Sequence, residues 1–235
     1  MKKSTVDEIR ERFDHEVERF SVLQTGQSAT MDAPLALELI CTAAAGATPG
    51  AKRLLDVGCG AGNYSLKMLE KFPNLDVTLV DLSRPMLDRA QQRISAATKG
   101  KIVALQGDIR QLDLADGSFD LIVAGAVLHH LRSDDEWRSV FAKLHRSLTS
   151  GGSFWIWDMV DHDLAAVQAL MVRRYGDYLS TLKNAAYREE VFAYIQKEDT
   201  PRSLLFQIDL LRQTGFRAVE ILHKNAVFAA FGAVK

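Results

Sequence analysis

Gly58, Gly60 and Gly62 stand at alternate positions in the run Asp56-Val57-Gly58-Cys59-Gly60-Ala61-Gly62-Asn63, directly after the apolar pair Leu54-Leu55. Glycines so placed let a backbone turn sharply and approach a ligand that a Cβ would hold off. A helix opened by Asn63 would then offer free N–H groups and a positive dipole end to an anionic group. The plainer alternative is a turn that only packs strand against helix. A dinucleotide-binding Gly-x-Gly-x-x-Gly/Ala loop needs a small residue at 63, where Asn63 stands. The spacing is instead Asp-x-Gly-x-Gly-x-Gly. Asp81 closes the next apolar segment, 23 residues after Gly58. Ionised, it offers two acceptor oxygens; it also reads as a residue at the start of a helix ahead of Pro85. Gly107-Asp108-Ile109 ends a third apolar segment, where Asp108 alone reads equally as a turn residue. His129 and His130 follow a fourth, and a neutral imidazole there could deprotonate a hydroxyl, amine or thiol near pH 7. Local packing at a helix start is the competing reading. The run Asp158-Met159-Val160-Asp161-His162-Asp163 holds metal-ligating types at no diagnostic spacing. A solvated loop with a helix cap at Asp161 or Asp163 explains it, and no metal is expected.

The elements that must position these residues alternate. Short apolar runs at Arg53–Val57, Asp76–Val80, Ile102–Gln106, Phe119–Ala124 and Ser153–Asp158 read as strands. Helical periods at Asn63–Phe72, Pro85–Ala97 and Glu136–Leu148 separate them, Pro85 falling where its missing N–H costs nothing. This pattern predicts βαβ units, hence an α/β, doubly wound, mostly parallel sheet buried on both faces. Two helices, Val6–Phe20 and Ala33–Ala45, precede it, and residues 163 to 198 hold helical periodicity and no convincing strand. Leu204–Thr214 is a last helix capped by Gly215. Ala218–Leu222 and Ala226–Val234 are strands joined only by His223-Lys224-Asn225, so they must form an antiparallel hairpin.

Composition narrows the function. The 235 residues carry 29 Lys+Arg against 30 Asp+Glu, a net charge of −1, which removes the simplest electrostatic case for nucleic acid or a membrane surface. The charged amino terminus has no apolar run of a secretory signal, and Leu35–Ala47 is too short to span a bilayer. Cys41 and Cys59 are too few for a disulfide framework, so the chain is expected to be cytoplasmic.

The series Asp56 to Asn63, Asp81, Gly107-Asp108-Ile109 and Gly117-Ser118-Phe119-Asp120-Leu121-Ile122 resembles, over residues 53 to 158, the class I S-adenosylmethionine-dependent methyltransferases. The resemblance implies a seven-stranded sheet whose last strand is inserted antiparallel. It implies S-adenosylmethionine as cofactor and S-adenosylhomocysteine as product, held by Asp56, Gly58, Cys59, Gly60, Asp81, Leu82, Met86, Gly107, Asp108, Ile109 and Ala124. In the family's pattern Asp81 accepts from both ribose hydroxyls, Leu82 and Met86 flank the adenine, Asp108 accepts from its amino group and Ile109 packs on the ring. His129 and His130 are the catalytic candidates.

Base-methylating relatives carry (Asn/Asp/Ser)-Pro-Pro-aromatic after the fourth strand, where this chain has Ala124-Gly125-Ala126-Val127. A small-molecule acceptor is therefore expected, with no nucleic-acid or membrane partner and a monomer or homodimer as the assembly. One domain, 1–235, is expected, with a helical cover over 1–45 and a helical insertion over 159–200. Thr25 to Thr30 fits a loop folding over a ligand, and Tyr175, Tyr178, Tyr187, Arg188 and Tyr194 could line an acceptor pocket. Plain surface connection and helix packing explain them too. The alternatives are a carboxy-S-adenosylmethionine synthase-like transferase, using Arg188 or Arg202 for the added carboxylate, and a non-catalytic S-adenosylmethionine-binding sensor.

Overall fold

The computed structural model describes residues 3–22 and 27–235. Thr5 starts the first helix through a capping box, accepting from the Glu8 N–H while Glu8 accepts from its own. That helix, α1 (Val6–Asp14), stops short of the expected Phe20, and α2 (Val17–Ser21) follows. The N–H groups of His15 and Glu16 bond three residues back and end the α-helical ladder. An unbroken helix spaces residues seven apart by about 10 Å along its axis. The break instead brings the Phe13 and Phe20 rings to 5.6 Å, edge to face.

Next come α3 (Ala33–Ala47), β1 (Arg53–Val57), α4 (Asn63–Lys71), β2 (Asp76–Asp81), α5 (Arg84–Ser95), β3 (Ile102–Gln106) and β4 (Phe119–Gly125). A 3-10 turn at Leu128–His130 leads to α6 (Asp134–Ser147) and β5 (Leu148–Met159). Two long helices, α7 (Ala165–Leu182) and α8 (Ala185–Glu198), precede α9 (Leu204–Thr214), β6 (Ala218–Asn225) and β7 (Phe228–Val234). Among the described residues these seven strands form one sheet, ordered β3-β2-β1-β4-β5-β7-β6. Strands β1 to β5 run parallel, and β7 lies antiparallel between β5 and β6. This is the doubly wound, mostly parallel sheet with an antiparallel carboxyl-terminal hairpin that the strand pattern predicts.

Both faces are covered because neighbouring strand residues point to opposite sides. Leu54, Trp155 and Trp157 pack on one side with residues of α3, α4, α5 and α7. Leu55, Phe154, Ile156 and Phe231 pack on the other with α6 and α9.

Three local expectations are corrected. The hairpin turns at Ala226-Val227, not His223-Lys224-Asn225, with Asn225 paired to Phe228 and Ala226 at φ 46°. His223 and Asn225 are polar because both bond the Asp32 carboxylate, at 2.9 and 2.8 Å, just ahead of α3. Strand β5 begins at Leu148, since the Gly151 N–H and Gly152 carbonyl pair with the carboxyl-terminal Lys235 backbone. Neither Asp161 nor Asp163 caps α7, which starts after Leu164 without a side-chain cap. Asp161 accepts from Gln168 Nε2, and Asp158 is buried at the end of β5. The described residues contain no helix long and apolar enough to cross a membrane.

Candidate active site

The glycine-rich turn leaves β1 with Gly58, Gly60 and Gly62 all at positive φ, a region open to glycine at no steric cost. A Cβ on Gly58 would lie 2.4 Å from Val127, whereas one on Gly60 would meet nothing within 4 Å. Gly60 thus leaves an empty cradle facing a cavity of about 570 Å³. Asp81, at the end of β2, fixes the turn by accepting the Gly60 N–H at 2.8 Å, and it also accepts the Ser83 N–H at 2.9 Å. Burial pushes Asp81 up to about 6, against the pull of those N–H groups. Ser83, not Asp81, caps α5.

Of the residues expected to hold a cofactor, Gly58, Cys59, Gly60, Asp81, Leu82, Met86, Gly107, Asp108 and Ile109 line this cavity. They come from the carboxyl ends of β1, β2 and β3, the edge where open parallel sheets bind ligands. Asp56 and Ala124 do not line it. Asp56 sits within β1 and accepts from the Ser65 hydroxyl at 2.6 Å and backbone N–H at 3.2 Å. It ties strand to helix under the turn, and burial raises it to about 7. Ala124 is enclosed within β4. Asp108 is gripped by the Arg110 guanidinium and also accepts the Arg110 N–H at 2.9 Å.

Another part of the cavity wall is polar. His129 donates its backbone N–H to Asp158 Oδ2 at 3.1 Å, and its Nδ1 bonds Asp158 Oδ1. Its Nε2 lies 3.6 Å from Asp199 Oδ1, which is also 3.5 Å from His130 Nδ1. Burial opposes charge on His129, but Asp158 and Asp199 outweigh it and raise the imidazole to about 9. His129 therefore carries its proton at neutral pH, which corrects the expectation of a neutral imidazole ready to take one. His130 is driven well down by burial and by its neighbours His129 and Arg12.

Asp199, at the end of α8, lies 70 residues from His129, and nothing in the sequence joined the two. Arg12, Tyr64 and Arg132 are further lining residues that spacing could not reveal. The buried Tyr64 hydroxyl has no hydrogen-bond partner among the described residues. Arg12 lies 4.6 Å from the Phe13 and Tyr194 ring centroids and 2.9 Å from Glu198 Oε2.

Helices α7 and α8 and the 27–30 turn also contribute to the cavity wall. Tyr175, Tyr187 and Tyr194 line the cavity, while Tyr178 and Arg188 do not. The Tyr175 and Tyr178 hydroxyls instead donate to the Ala29 and Ser28 carbonyls, both at 2.9 Å, and hold the 27–30 turn against α7. Gln27, Ala29 and Thr30 line the cavity; Thr25 and Gly26 of the expected loop lie outside the described residues. Arg188 is paired with Glu189, and Arg202 with Asp134 and the Arg132 carbonyl, and neither lines the cavity.

Residues 54–152 match the family model described as a methyltransferase domain. That stretch, somewhat less than half of the chain, is similar to methyltransferase domains. An uncharacterized methyltransferase of Mycobacterium tuberculosis is 36% identical over 104 residues, covering 44% of this chain and 49% of that protein. The chain thus spans about half the length of that curated relative. A carboxy-S-adenosyl-L-methionine synthase of Nautilia profundicola is 25% identical over 189 residues, 78% of this chain and 77% of that one. The fold of the chain is also that of human N-acetylserotonin methyltransferase in complex with SAM. That match has a TM-score of 0.62 at 16% identity and covers 96% of this chain and 56% of that one.

Proposed function

We propose that the chain transfers a methyl group from S-adenosylmethionine to a small-molecule acceptor bound in the same cavity, with S-adenosylhomocysteine as product. The observation that carries this reading is one cavity lined by two differently built groups of residues. One has the Gly60 cradle and the Asp81 carboxylate; the other has His129, His130 and Asp199. About 570 Å³ falls within the roughly 300–1,000 Å³ of small-ligand sites. Covered by α1, α2, α7 and α8, such a space suits a small acceptor better than a polymer. On this reading residues 1–45 and 159–200 are covers on one domain, not a second domain.

The residues fit the cofactor. Gly58 and Gly60 bring backbone close to it, and Asp81 keeps lone pairs for ribose hydroxyls beyond its two N–H bonds. Leu82, Met86 and Ile109 supply apolar surface for the adenine, with Asp108 at its edge. The bound cofactor supplies an electrophilic methyl group on a sulfonium. The chain positions the acceptor and excludes water, the two contributions such a displacement most needs. His129, anchored by Asp158, and the facing Asp199 form the polar part of the wall where the acceptor's nucleophilic atom binds.

Asp81 gives this reading a pH signature. Ribose hydroxyls are best accepted by the ionised carboxylate, so cofactor affinity is expected to fall as pH drops from 7 through about 6. Calorimetric titration of S-adenosylmethionine across that range checks it. Asp81→Asn should weaken binding by about 1–3 kcal/mol and flatten the profile. Wild-type affinity in the variant would place the ribose elsewhere.

A further inference from the structure

We propose that His129, His130 and Asp199 form a divalent-cation site in the acceptor part of the cavity. The proposal rests on the reading of this cavity as the transferase site and deepens it. One ligand atom from each of the three residues lies within 4.8 Å of the others, and Asp199 Oδ1 is 3.6 Å from His129 Nε2 and 3.5 Å from His130 Nδ1. Ligand atoms about 2.1 Å from a tetrahedral zinc ion are roughly 3.4 Å apart, so the three need little movement to share one ion.

Two further observations point to a ligand. Asp199 is 4% exposed, and its Oδ1 has no hydrogen-bond partner among the described residues; neither does His130 Nδ1, which faces it. Buried polar atoms are costly to leave unpaired, and two of them aim at one point. Behind His129, Asp158 accepts from Nδ1, so a metal ion that displaces the Nε2 proton would meet a nitrogen already directed at Asp199. A carboxylate holding the far nitrogen of a histidine ligand is the usual support of such sites.

The neighbouring cations have partners outside the three candidate ligand atoms. Arg132 donates to the Glu198 and Ser4 carbonyls and to Thr200, Lys3 bonds the Asp199 carbonyl, and Arg12 faces Glu198. Three protein ligands leave coordination open toward the cavity, as in catalytic zinc sites. An oxygen or nitrogen donor of the acceptor would complete it, which assigns the acceptor to compounds able to ligate a divalent ion.

The test is titration of chelator-treated protein with Co²⁺, read by visible absorption, and with Zn²⁺, read by calorimetry. One equivalent per chain is expected, with a visible Co²⁺ band of histidine ligation. Asp158→Asn should weaken the metal by about 10- to 100-fold, and His130→Gln and Asp199→Asn by more, in variants shown to be folded by circular dichroism. His130→Gln keeps the test open if Asp199→Asn fails to fold. No stoichiometric binding by the folded wild-type protein, or unchanged affinity in His130→Gln, overturns the site. Titration of metal-free wild-type protein with S-adenosylmethionine reports separately on the transferase reading.

Discussion

Truncating Asp158 to alanine is expected to cost roughly 3–5 kcal/mol of folding stability, the usual loss when one member of a buried charged pair is removed. Asp158 is fully enclosed at the end of β5 and accepts two bonds from His129, one from the ring and one from the backbone. Without it, His129 keeps Asp199 at 3.6 Å as a remaining counter-charge, at no hydrogen-bond distance. The turn at Leu128–His130, pinned through that backbone bond, loses its anchor to the sheet. Denaturant unfolding of wild type and Asp158→Ala measures the cost. Asp158→Asn, which keeps an acceptor oxygen, should recover part of it. Equal midpoints and slopes for wild type and Asp158→Ala would show that the pair contributes nothing.

Gly60→Ala should separate binding from folding. The added Cβ meets no atom of the described residues within 4 Å, so no packing among them is disturbed. The remaining cost is a left-handed backbone at φ 49°, roughly 1–2 kcal/mol for a residue with a Cβ. That Cβ projects into the cradle beside Asp81, where cofactor and backbone must approach closely. S-adenosylmethionine affinity is expected to fall at least about a hundredfold, ~2.7 kcal/mol. Circular dichroism and calorimetry on one preparation read both effects. A folded variant that binds as the wild type does would move the cofactor away from this turn.

What the sequence disclosed and what it withheld divide on a physical line. The parallel strands were legible because burial on both faces makes each a short apolar run, as in Leu54-Leu55 and Leu121-Ile122-Val123. The cradle was legible because glycine spacing is local. Asp81 and Asp108 could be singled out because each ends such a run. Asp199 was not, because its partners His129 and His130 reach it only when α8 folds back over the sheet. Asp56 misled for a related reason: a carboxylate beside a glycine loop looks like a ligand contact until the fold shows its partner, Ser65, one turn into α4. His223 and Asn225 read as a turn because polar residues usually do, yet they lie in β6 to reach Asp32.

The central claim is that the cavity beside the Gly58–Gly62 turn is built for S-adenosylmethionine, and calorimetric titration of the purified chain tests it most directly. S-adenosylmethionine, S-adenosylhomocysteine and NAD are compared under the same conditions at pH 7.5. One site for each of the two sulfur compounds, and no heat from NAD, is the predicted result. Tight NAD binding with no response to either sulfur compound would contradict it.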